Sequence, residues 1–119
     1  MSLPGQHTPV LRYFSPARMA LVALTSDGLT LIRRIEDEDW KIAARKKQSP
    51  TFEEWLAIKK RNIAALPAWA VEVKELPSLE QLQDWLTDGI CETPTGDQVE
   101  PDGQGPDGAP SWLRLLGFI

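Results

Sequence analysis

The sequence predicts an α+β domain: a small, mostly antiparallel sheet with two helices on one face, and a Pro/Gly-rich C-terminal loop docked by a short apolar terminal turn. Three features carry this. An Asp27-Gly28 pair separates two apolar runs, two capping boxes open amphipathic stretches, and a turn-rich tail finishes in Trp, Leu and Phe. Residues 1–9 read as a flexible start, 10–89 as the α+β core, and 90–119 as a loop and anchor belonging to the same domain.

Val10–Phe14 is a short apolar run ended by Ser15-Pro16. Met19–Leu24 and Leu29–Ile35 follow, joined by Thr25-Ser26-Asp27-Gly28. Asp-Gly between apolar runs marks a hairpin, because Gly takes the positive φ that tight turns need. In the later run Leu29, Leu31 and Arg33 share one side, and Thr30, Ile32 and Arg34 the other. Glu36-Asp37-Glu38-Asp39 reads as an exposed turn. Trp40–Lys47 has a helical composition, yet Trp40, Ile42 and Ala44 alternate, and the alternation favours a strand.

Residues 51–65 carry the clearest helical signal. Thr51 and Glu54 make a capping box, which satisfies free amides at a helix start. Phe52, Trp55, Leu56, Ile63 and Leu66 fall mostly on one face, and Pro67 stops the helix. Trp69, Val71 and Val73 alternate with Ala70, Glu72 and Lys74, the pattern of a half-buried strand. Ser78 and Gln81 then repeat the capping box. Leu79, Leu82, Trp85 and Leu86 supply an apolar face, and Gly89 ends the helix.

From Ile90 the composition changes, with four Pro and four Gly in residues 90–111. Too few apolar groups remain there for a core, but Ser111 can cap a last turn. Exposing the terminal apolar residues would cost about 25 cal/mol per Å². Trp112, Leu113, Leu116 and Phe118 are therefore expected to anchor the terminus on the main body.

Composition narrows the function. At 119 residues, 42% hydrophobic and 25% charged, the chain suits one globular domain. No apolar run reaches the roughly 18 residues of a membrane span, the first residues lack a signal pattern, and Cys91 is a lone cysteine; a cytoplasmic protein is expected. Charge is divided. Residues 1–62 hold eleven Lys and Arg against seven Asp and Glu, a net +4, while residues 63–119 hold two against ten, a net −8. The candidate partner-binding cations are Lys41, Arg45, Lys46, Lys47, Lys59, Lys60 and Arg61.

The tail carries a resemblance. Beginning at Cys91-Glu92, it resembles the tail of a group of small, uncharacterised bacterial proteins of phages and integrative elements, with Val99-Glu100-Pro101-Asp102-Gly103 and Pro110-Ser111-Trp112-Leu113 both matching at the right separation. The tail of that group reads Cys-Glu…Gly-Cys-x-Val-Glu-Pro-Asp-Gly-x-Cys-x-His-Gly-x-Pro-Ser-Trp-Leu. Three Cys and one His have the composition of a structural zinc site. Carried over by position, Cys91 is kept, whereas the remaining ligand positions are Asp97, Gly105 and Asp107. One thiolate with two hard carboxylates makes a poor zinc site, so no metal is expected, and the loop must be held by its anchor and its turn hydrogen bonds.

Catalysis has no foothold. His7 is the single histidine, in a Pro/Gly-rich terminus, and Cys91 has no base near it in sequence. There is no nucleophile elbow, phosphate-cradling loop or dinucleotide fingerprint. The expectation is a non-enzymatic accessory protein of a phage or mobile element, without cofactor. It would act by binding another protein, as a host-factor or defence inhibitor or as an assembly component. The alternative is a nucleic-acid-associated protein using the basic patch 41–61.

Overall fold

The computed structural model describes residues 7–119. Residues 1–6, most of the start predicted to be flexible, lie outside the described residues. The chain is α+β. Strands β1 (Pro9–Ser15), β2 (Ala20–Thr25), β3 (Leu29–Arg34) and β4 (Lys41–Arg45) form a meander in sequential order, every pair antiparallel. The predicted hairpin joins β2 to β3: Gly28 has φ +83°, and its N–H donates to Thr25 O at 3.1 Å. The strand at 41–45 is also present.

Helix α1 (Phe52–Ala64) starts as its capping box dictates, with Glu54 N–H donating to Thr51 Oγ1 at 3.3 Å. Helix α3 (Leu79–Asp88) does likewise, Gln81 N–H donating to Ser78 Oγ at 3.0 Å. Gly89, at φ +71°, closes α3 in the left-handed conformation. Both signals are local and both are realised.

Residues 68–72 are not the predicted strand. They form a short helix, α2 (Ala68–Glu72), whose first turn is closed by Ala70 N–H on Pro67 O at 3.0 Å. The alternation of Trp69, Val71 and Val73 misled, because Val71 is exposed while Trp69, Ala70 and Val73 are buried. With half-buried Leu66, these residues repeat at i, i+3, i+4 and i+7, which is helical spacing. The predicted strand therefore adds nothing to the sheet.

The predicted placement of both helices on one face is also corrected. Residues of β2 alternate between two cores. Leu21 and Ala23 join Phe14, Leu31, Trp40, Trp69, Leu82 and Trp112 on one side, under α2, α3 and the C-terminus. Val22 and Leu24 join Ile32 and Trp55 on the other, under α1. All of β2 is buried, so its run of apolar residues has no polar alternation, as for any strand covered on both faces. On α3 just Leu82 is buried and Trp85 half-buried, while Leu79 and Leu86, predicted for the apolar face, are exposed.

The turn at 36–39 hides one of its acids. Asp37, predicted to be exposed, is buried and accepts from Arg34 N–H at 2.9 Å and from Lys41 Nζ at 2.9 Å. These bonds hold its carboxyl below the ordinary range, the Arg34 amide first and the Lys41 ammonium second. Asp27 is held low by Thr25 Oγ1, which donates to it at 2.5 Å, and then by His7. His7, predicted to be mobile, lies with Nδ1 2.9 Å from Asp27 Oδ2. Depressed carboxylates stabilise the fold above their unfolded value of about 3.9, and that stability is lost as pH falls towards the folded value. Thermal midpoints measured from pH 7 down should thus stay level and then fall below about pH 4. In Asp37→Asn the fall should be shallower, and an unchanged profile would refute the assignment.

Candidate binding surface

The C-terminal segment carries the positions of the tail resemblance. Strands β5 (Cys91–Glu92) and β6 (Gln98–Val99) pair antiparallel, and the loop then runs to α4 (Trp112–Leu115). Positions 97, 105 and 107 converge. A Cβ at Gly105 would stand 2.9 Å from Asp97 Oδ2 and 3.2 Å from Asp107 Oδ1. Cys91 instead packs in the core, its Sγ donating to Glu92 O at 3.3 Å. Among the described residues no group of three or more His, Cys, Asp and Glu is placed to hold a metal ion. Two carboxylates facing a glycine, with the thiol turned into the core, do not fit zinc.

Hydrogen bonds tie the loop. Thr95 Oγ1 donates to Asp107 Oδ2 at 2.7 Å, and Ala109 N–H to Asp107 Oδ1 at 3.0 Å; both keep the Asp107 carboxyl low, Thr95 more strongly. Ser111 Oγ donates to Pro101 O and accepts from Arg114 N–H at 3.1 Å, so one hydroxyl caps α4 and fastens the loop. Of the predicted anchors, Trp112, Leu113 and Leu116 are buried in the larger core. Phe118 is not an anchor: it is 42% exposed, because the chain turns at Gly117 before reaching it.

The predicted cations divide. Lys41 is engaged with Asp37 at the far end of β4. Lys46 Nζ donates to Lys47 O at 2.5 Å and Pro50 O at 2.6 Å, bracing the loop into α1. Arg45, Lys46, Lys47 and Lys59 meet in a groove of about 250 Å³ between β4 and the N-terminal half of α1, with Thr30 and Trp55 at its base. Among the described residues Arg45, Lys47 and Lys59 take part in no ion pair. Lys60 and Arg61 lie elsewhere around α1, since successive helical residues are about 100° apart.

A second groove, which the sequence reading missed, lies at the other end of α1. About 360 Å³ in volume, it is lined by Leu11, Ile63, Ala64, Leu66 and Val71, with Lys60 at its edge. Its signal lay in the surplus of apolar residues at 63–71, more than one short helix can bury. A single helix crossing the sheet thus carries a cationic groove at its start and an apolar one at its end.

The fold and site define an α+β domain with a cationic groove and an apolar groove along one sheet-crossing helix. No family model, curated protein or solved structure matches the chain. No helix among the described residues is long and apolar enough to cross a membrane.

Proposed function

We propose that the chain is a non-enzymatic binding protein whose working surface is α1 with its two flanking grooves, and whose partner is a protein segment with acidic and apolar residues in turn. The supporting observation is the convergence of Arg45, Lys47 and Lys59, without intramolecular carboxylate partners among the described residues, beside an apolar groove on the same helix. Cations left without acids favour an acidic partner, and the apolar groove supplies the burial that surface charge alone does not. An accessory role in a phage or mobile element, inhibiting a host factor or serving assembly, rests on the tail resemblance.

Three cations are few for nucleic acid, and the net −8 of residues 63–119 repels phosphates at long range. The same cations nevertheless make DNA or RNA the second reading, and one experiment separates the two. The tagged chain is used for affinity capture from its host beside Lys47→Glu/Lys59→Glu and a control, Asp84→Lys on exposed α3. A protein partner held by the native chain and the control, and weakened about tenfold or more by the double variant, is the expected result. Retention of that partner by the double variant overturns the surface. Recovery of nucleic acid, with affinity falling steeply as salt rises, establishes the second reading instead.

A further inference from the structure

On the opposite face of the sheet, two arginines point to the side that is otherwise core. Arg12 on β1 is paired in register with Ala23, and Arg33 on β3 with Leu21, so the two side chains flank β2 on the face of Leu21 and Ala23. Both are half-buried. Two guanidiniums at one place concentrate positive charge beside a half-buried wall, where an anion is attracted more strongly than in open water. Between them lies a pocket of about 100 Å³, lined by Arg12, Arg33, Trp40, Lys74 and Glu75 with Leu21 beneath. We infer that this pocket binds a single oxyanion, a phosphate or carboxylate headgroup, gripped by Arg12 and Arg33 against Trp40.

Arg12 is held in place for such a task. Its guanidinium lies 5.5 Å from the centre of the Trp40 ring, and its Nη2 donates to Lys74 O at 3.0 Å. A guanidinium has five N–H donors in a planar fork, and this contact uses one, so the group is oriented without being exhausted. Lys74 Nζ turns to Val71 O at 3.3 Å, and so contributes field rather than contact. Glu75 is the one acid in the lining, against three cations. The volume falls well below the roughly 300 Å³ at which drug-sized ligands begin, which selects a headgroup over a nucleotide. The arginine fork matches carboxylate and phosphate alike. This pocket and the cationic groove of α1 lie on opposite faces of the sheet, and the anion titration reads the pocket alone.

The test uses the full chain labelled with 15N, following the Trp40 indole resonance assigned with Trp40→Phe. Inorganic phosphate and acetate are titrated separately at constant ionic strength. A saturable shift with at least one anion is expected, and the anion that binds tighter names the headgroup. Arg12→Lys keeps the charge and loses the fork, and should weaken binding about tenfold, the worth of one charge-assisted hydrogen bond. Glu75→Gln, at an exposed position, should strengthen it. No saturable shift with either anion overturns the inference, as does unchanged affinity in a folded Arg12→Lys. Should Arg12→Lys fail to fold, Glu75→Gln decides, and equal affinity there is a refutation.

Discussion

Trp112→Ala is expected to cost about 3–5 kcal/mol, the usual range for emptying a buried Trp site. A domain of this size has a total of only about 5–15 kcal/mol, so the variant should lose from about a fifth to all of its stability. Trp112 is 5% exposed and meets Phe14 edge-to-face, with ring centres 5.4 Å apart and planes at 88°. That contact joins the C-terminal turn to β1, far away in sequence. Ser111, just before it, fastens the loop through Pro101, so the loss spreads from the turn into the loop and the core together. Urea unfolding followed by far-UV circular dichroism measures it. A loss under about 1 kcal/mol would mean that the terminus is not part of the cooperative unit.

Trp55→Ala should have a cost of similar size and a different reach. Trp55 is the one buried residue of α1, supported by half-buried Phe52 at 5.6 Å between ring centres, and by Leu56 and Ile63. Removing it takes away the main hold of α1 on the sheet, while the larger core on the other face keeps Leu21, Leu31, Trp40 and Leu82. Hydrogen exchange in α1 is therefore expected to rise to nearly unprotected rates, with β2 amides still slow. Partner binding should disappear with it, since both grooves take one wall from α1. Equal acceleration in α1 and β2 would show a single cooperative unit and refute a separately docked helix.

Much of this fold is legible in short stretches of sequence because the forces that set those stretches are short-ranged. Asp27-Gly28 makes a hairpin by local backbone geometry, and Thr51, Ser78 and Ser111 start helices by satisfying amides within one turn. The apolar tail had to be buried, and Trp112, Leu113 and Leu116 are. Residues 66–73 were harder to read. Their apolar groups satisfy a period of 2 and a period of 3.6 at once, and the choice fell to packing against β1, where Arg12 reaches Lys74 O.

The sequence by itself determined the α+β class, the β2–β3 hairpin, the caps and the need for a docked C-terminus. Tertiary structure decided which face each helix covers, that Asp37 turns inward while Phe118 turns out, and which of seven cations share a groove. It also brought Arg12, Arg33 and Trp40 around one small pocket. The reason is range: hydrogen bonds and dihedral preferences act over a few residues, whereas a groove belongs to the path of the whole chain, and no local pattern encodes that path.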